Sequence, residues 1–231
     1  MSWARAGRPI SRRARARRLT DMTNTDLRLD SRSLEARLRR APAPTDRLER
    51  ARAALATRAA TTGLVDVAFA RHASPLGTLI VGVTPRGVVR VGLPSEDEDA
   101  VLDELARRIS PRVLASPAGA LGRARRQLDE YFAGRRRRFE LPLDWQLAQG
   151  FRRAVLRATA RIPYGRTASY REVAARAGSP AASRAAGSAL ANNPLPLLVP
   201  CHRVLPSSGA LGGYRGGADA KARLLALEGA R

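Results

Sequence analysis

The chain holds one cysteine and two histidines, and two of those three residues stand side by side: positions 199–204 read VPCHRV, which sets Cys201 against His202. A thiol becomes a strong nucleophile only when ionised. Its free pKa is about 8.5, and an adjacent imidazole can take the proton. A lone cysteine can equally serve as a small core hydrophobe, its common structural role. An imidazole that acts as a base needs a third group to orient it, and beyond residue 144 three acidic side chains are on offer: Glu172, Asp219 and Glu228. Glu172 lies three residues after Ser169, the spacing of a helix capping box. Asp219 opens the last helix, where the macrodipole accounts for an acid. Glu228 follows the apolar Leu224, Leu225 and Leu227 and has no such explanation, so by elimination it is the partner of His202. The same inventory excludes other chemistries: one cysteine permits no internal disulfide and no multi-cysteine zinc site. Neither a metal nor an organic cofactor is expected.

These residues need elements to hold them. Residues 195–200, LPLLVP, read as a short buried strand that delivers Cys201 at the end of a rigid run. Upstream, 151–162 has helical spacing of Phe151, Val155, Leu156 and Ile162, closed by Pro163-Tyr164-Gly165. The Ser169–Glu172 capping box places Tyr170 at the first position of a helix that Gly178 ends. Ser179-Pro180 then reads as the start of a second helix running to about Asn192. Two short helices around a glycine turn form a helix-turn-helix pattern. The second of them is nearly bald, with Ala, Ser and Gly at most positions and Arg184 as its one long side chain. A helix that reads a major groove should carry several side chains able to reach base edges. Small residues permit close backbone approach instead, which suits either a minor groove, with Arg184 filling a gap in the base stack, or tight packing on a neighbouring helix.

The middle of the chain reads as scaffold. VDVAFARH (65–72), LGTLIVGV (76–83) and GVVRVGL (87–93) are strands separated by turn formers at Ser74-Pro75 and Pro85-Arg86-Gly87, an antiparallel meander with His72 at a strand end. Amphipathic helices follow over 97–109 and 118–134, and RRRR (135–138) with LPLDW (141–145) reads as a linker. Three regions result: a basic, low-complexity extension over 1–62, an α+β scaffold over 63–143, and the site-bearing domain over 144–231. In the extension, 29–40 and 48–60 read as helices, and Met22 reads as an alternative start.

The net charge is +22, and Lys221 is the only lysine. Residues 1–60 hold 16 arginines against 6 acids and residues 61–144 hold 13 against 11, while residues 145–231 hold 13 basic groups against 3 acids. A basic C-terminal third beside a nearly neutral middle fits a domain that faces a polyanion; a solvated arginine-rich surface gives the same count. No apolar run approaches the roughly 18 residues of a membrane helix, and the N-terminal arginines lack the apolar stretch of a secretory signal. A cytoplasmic protein is expected.

IPYGRTASYREVAARAG, SPAASRAAGSALANNP, VPCHRVLPSSGALGGYRGG and KARLLALEG resemble, in order and spacing, the O6-alkylguanine-DNA alkyltransferases, also called methylated-DNA–protein-cysteine S-methyltransferases. The resemblance is dense over about 146–229, looser over about 65–143 and absent from 1–62. It implies a ribonuclease H-like α+β domain followed by a winged-helix-like domain with the helix-turn-helix. It also implies repair of double-stranded DNA carrying O6-alkylguanine by a monomer that acts once. On this resemblance Cys201 accepts the alkyl group, His202 acts as base through a water and Glu228 orients it. Tyr170 stands at the flipped nucleotide, Arg184 replaces the extruded guanine, and Asn193 ties the recognition helix to the active-site segment. Val204 and Tyr214 line the guanine pocket, and Arg215 presents its backbone amide to O6. Arg215 stands where a small residue is expected, which bears on pocket size. A thiol hydrolase would need an oxyanion hole and has no use for a helix-turn-helix. Alkyltransferase-like proteins that bind without repairing lack the motif cysteine.

Overall fold

The computed structural model describes residues 65–116 and 120–230, together with Arg47, Arg50, Ala51, Ala54 and Arg58. Those five positions are helical, in step with the helix expected over 48–60. The basic run at 11–18, the helix expected over 29–40 and the reading of Met22 lie outside the described residues. Ala51–Arg231 cluster as one compact unit.

Alternating and β-branched runs give β1 (Val67–Ser74), β2 (Gly77–Thr84) and β3 (Gly87–Gly92), paired antiparallel in sequence order. β2 is buried on both faces, which explains its unbroken apolar run. Leu79, Val81 and Val83 face one cluster and Ile80 faces another. His72 lies within β1, buried. The sheet is mixed, not purely antiparallel as expected: β4 (Val113–Ala115) adds parallel to β1, giving the order β3-β2-β1-β4. Three residues are too few to show a period-2 signal.

Helix α1 (Glu98–Arg108) is capped by the Asp97 carboxylate, which accepts from the Ala100 N–H at 2.9 Å, and it buries Val101 and Leu105 against the sheet. Helix α2 (Ala120–Phe132) buries Leu121, Ala124, Leu128 and Tyr131 in the main cluster. Residues 141–145, expected as a free linker, are strapped along β3. The Val88 N–H donates to the Pro142 carbonyl (2.9 Å), and the Asp144 N–H donates to the Val88 carbonyl (2.8 Å). Gly87 (φ 137°) permits this approach, because a Cβ there would sit 2.1 Å from the Pro142 oxygen.

The C-terminal half contains α3 (Gly150–Thr159), a two-residue strand β5 (Ala168–Ser169), α4 (Tyr170–Arg176), α5 (Ser183–Ala191), a 3₁₀ turn (Cys201–Arg203), β6 (Val204–Leu205) and α6 (Gly217–Leu227). The capping box between Ser169 and Glu172 is present in both directions. Helix α5 begins at Ser183, three residues later than a start at Pro180 capped by Ser179. Residues 178–179 are still closing α4: Gly178 is left-handed (φ 88°) and the Ser179 N–H returns to the Ala174 carbonyl at 2.9 Å, so no helix can start there. Residues 195–200 form consecutive buried turns, not a strand, with Leu197 at φ 72°. Pro196 and Pro200 lack the N–H groups that a ladder needs. One apolar cluster runs from Leu79, Val81 and Leu128 to Val155, Ala186, Val199 and Cys201, so the two halves share a core and hold each other in place.

Candidate active site

Three local devices bring the chemistry together. The buried 195–200 turns end in the 3₁₀ turn that carries Cys201, His202 and Arg203, all buried. β5 pairs in parallel with β6, Ala168 with Val204 and Ser169 with Leu205, which sets Tyr170 beside the cysteine segment. Asn193, just past the C-terminus of α5, donates from Nδ2 to the Val199 carbonyl (2.9 Å) and to Cys201 Sγ (3.2 Å), while its Oδ1 accepts from the Leu195 N–H (3.0 Å). The end of the second helix of the helix-turn-helix is thereby bonded directly to the thiol.

Behind Cys201 lies a buried charged network centred on Glu228. Its Oε1 accepts from His202 Nε2 (3.0 Å), Arg203 Nη2 (2.9 Å) and the Tyr131 hydroxyl (2.6 Å). Its Oε2 accepts from Arg203 Nε (2.7 Å). Burial pushes the Glu228 carboxyl up, but the hydrogen bonds from His202, Arg203 and Tyr131 outweigh it and hold the pKa at about 2. An ionised carboxylate only accepts, so His202 must carry its proton on Nε2. Nδ1 is then a bare lone pair, and it has no hydrogen-bond partner within the protein. Burial lowers the His202 pKa more strongly than Glu228 raises it, which keeps the imidazole neutral near pH 7. Burial also raises the Cys201 thiol, opposed by the Asn193 hydrogen bond and the Lys221 charge. The two shifts leave a neutral thiol and a neutral imidazole on adjacent residues.

In front of Cys201 opens a cavity of about 470 Å³, lined by Tyr170, Gly187, Leu190, Ala191, Cys201, Gly213, Tyr214 and Arg215. That volume accommodates a flat heterocycle. The Tyr214 hydroxyl is buried without a partner in the protein, and burial raises its pKa and keeps it a donor. Burial likewise raises Tyr170.

Of the residues expected from the sequence, Cys201, Tyr170, Tyr214 and Arg215 meet at the cavity, His202 and Glu228 stand behind it, and Asn193 braces the thiol. Arg184 is exposed on α5 and does not line the cavity. Val204, expected on the pocket wall, is fully buried in β6 instead. Its carbonyl accepts from Lys221 Nζ at 2.9 Å. Arg203, Tyr131 and Lys221 were missed. Arg203 sits within the VPCHRV motif itself and Lys221 is the one lysine of the chain, so both carried a signal. Tyr131 looked like any apolar position of an amphipathic helix. Among the described residues no three His, Cys, Asp or Glu side chains converge as a metal-binding set.

Fold and site together define an α+β protein with a buried cysteine thiol close to a helix-turn-helix. Comparison with known proteins places that fold in a family. Residues 67–145 match the ribonuclease-like domain of 6-O-methylguanine DNA methyltransferase, and residues 150–230 match the DNA binding domain of the same family. The constitutive methylated-DNA–protein-cysteine methyltransferase of Bacillus subtilis (strain 168) is 40% identical over 159 residues, 67% of this chain and 91% of that protein. The methylated-DNA–protein-cysteine methyltransferase of Mycolicibacterium paratuberculosis is 51% identical over 102 residues, 44% of this chain and 61% of that one. The crystal structure of Mycobacterium tuberculosis OGT in complex with DNA superposes with a TM-score of 0.60 at 35% identity, covering 70% of this chain and 92% of that one. The chain belongs to the 6-O-methylguanine DNA methyltransferase family.

Proposed function

We propose that this protein repairs DNA by taking the alkyl group of O6-alkylguanine, chiefly O6-methylguanine, irreversibly onto Cys201. The observation that carries this reading is a thiol with its own neutral base behind it and a base-sized cavity in front of it. The Cys201 thiol passes its proton through a water to His202 Nδ1, and Glu228 stabilises the imidazolium through Nε2. The sulfur attacks the alkyl carbon, an S–C bond forms as the C–O6 bond breaks, and the electron pair remains on guanine. Hydrogen bonds from the phenol hydroxyls and from the Arg215 backbone amide offset that charge, and guanine takes up a proton to balance the one lost by Cys201. No metal or organic cofactor has a role in this sequence. A thioether is a poor leaving group, so each molecule acts once.

A guanine inside a duplex cannot reach the cavity, so the nucleotide must be flipped out. Residues 144–231 form the domain that we assign to double-stranded DNA, with 63–143 bracing it and 1–62 as a basic extension. Arg184 fills the vacated stack, Tyr170 turns the nucleotide and Asn193 links the helix to the thiol. The molecule works as a monomer, in a cytoplasm that keeps Cys201 reduced; no helix among the described residues is long and apolar enough to cross a membrane. Intact mass after incubation with excess duplex containing O6-methylguanine tests the reading. One methyl-for-hydrogen exchange per molecule, mapped to Cys201 and absent in Cys201→Ala, is expected. Multiple turnovers, or transfer in the alanine variant, would refute it.

A further inference from the structure

Arg215 lines the cavity beside Tyr214, and its hydrogen bonds tie three parts of the molecule together. Nε and Nη2 both donate to the Ala191 carbonyl, at 3.1 and 2.7 Å, at the C-terminal end of α5. Nη1 donates to Glu96 Oε2 at 2.8 Å. The Arg215 carbonyl accepts from Ser95 Oγ at 2.8 Å. Glu96 is itself immobilised: it accepts from the Leu93 N–H at 2.9 Å and is paired with Arg90, which is buried on β3. The guanidinium therefore joins a cavity wall made by α5 to a wall made by residues 213–215, and anchors both to the β-sheet domain.

The rest of the loop has little freedom of its own. Lys221 Nζ donates to the Gly213 carbonyl at 3.3 Å. A Cβ at Gly216 would lie 2.8 Å from the Tyr214 ring, so the chain doubles back against that ring. Gly187, Leu190 and Ala191 from α5 and Gly213, Tyr214 and Arg215 from the loop line the cavity together with Cys201. By bonding to the Ala191 carbonyl and to Glu96, Arg215 limits the separation of helix and loop. A planar fork with two donors on one carbonyl and a third on a carboxylate is a rigid connection that lysine cannot reproduce.

We infer that Arg215 is the specificity-determining residue of this pocket: by strapping α5 to the 213–215 loop and to Glu96, it fixes the cavity width and selects small O6 substituents over bulky ones. The inference rests on the alkyl-transfer reading above. It assigns to the β-sheet domain, through Ser95 and Glu96, a part in substrate choice.

Free O6-methylguanine and O6-benzylguanine bases test it, because neither requires DNA binding or nucleotide flipping. Rates of alkylation at Cys201, followed by intact mass, are compared for wild type, Arg215→Ala and Arg215→Lys. In Arg215→Ala the benzyl-to-methyl rate ratio should rise about tenfold, the free-energy scale of one hydrogen bond to a charged group. The methyl rate itself should fall as the walls lose their preorganisation. Arg215→Lys retains the Glu96 ion pair and should lie between the two. An unchanged ratio, with both rates falling together in either variant, would overturn the assignment. Failure of the wild type to alkylate Cys201 with either base would instead overturn the functional reading on which the assignment stands.

Discussion

Tyr131→Phe probes whether the β-sheet half takes part in the site's electrostatics or merely supports it. The Tyr131 hydroxyl is buried and donates to Glu228 Oε1 at 2.6 Å across 97 residues of chain. Phenylalanine preserves the ring and its edge contacts with Phe132 and Tyr164 and removes only the donor. Glu228 keeps Arg203 and His202 as partners, so no charge is left bare. The cost is then that of one hydrogen bond to an ionised group, about 1.5–3 kcal/mol. For a domain of this size each kcal/mol lowers Tm by roughly 2–4 °C, giving a loss of about 3–12 °C at neutral pH. The sign of the pH dependence follows from Glu228, whose pKa of about 2 lies below its unfolded value. Such a carboxylate stabilises the fold above the ordinary carboxyl pKa, and that contribution is lost as pH falls through the carboxylate range toward the folded value. The Tyr131→Phe deficit, measured by thermal melts, should be full at neutral pH and narrow in acid. A melting temperature equal to wild type at neutral pH, or a deficit that does not change with pH, would refute the bond to an ionised Glu228.

Two further outcomes follow from the same geometry. Arg184→Ala should slow repair of duplex DNA by the equivalent of a few kcal/mol, the scale of unstacking a base, while free O6-methylguanine reacts as fast as with wild type; equal slowing of both would show that Arg184 supports the fold or the pocket. The alkyl-transfer rate should fall on the acid side once His202 protonates, below the usual imidazole value because burial lowers its pKa. In His202→Gln the rate should instead climb only as pH approaches the raised pKa of the Cys201 thiol; an unchanged pH–rate profile in that variant would remove His202 from the proton path.

Much of the candidate site is legible in the sequence. VPCHRV, the Ser169–Glu172 cap and the scarcity of acids near the C-terminus together singled out Cys201, His202 and Glu228. Local signals of this kind survive because caps, turns and adjacent side chains are set by a few neighbouring residues. Where the reading went astray, the deciding contact was distant or the local signal was ambiguous. β4 is three residues long and exists only because β1 offers it an edge. Residues 195–200 are as apolar as a strand, yet prolines deny them a ladder and the shared core folds them into turns.

Composition and spacing alone picked out Cys201, His202 and Glu228 as candidates, along with the helix-turn-helix and the basic character of the domain that carries them. Only the tertiary structure decided which groups reach those residues from afar. Tyr131 on α2 meets Glu228 beyond α6, Arg203 turns back onto the same carboxylate, and Arg215 reaches Glu96 across 119 residues. No periodicity encodes such pairs. Each exists because one apolar core, shared by the two halves, brings distant polar groups into low-dielectric surroundings where an unpartnered donor or charge is costly and a partner must be found.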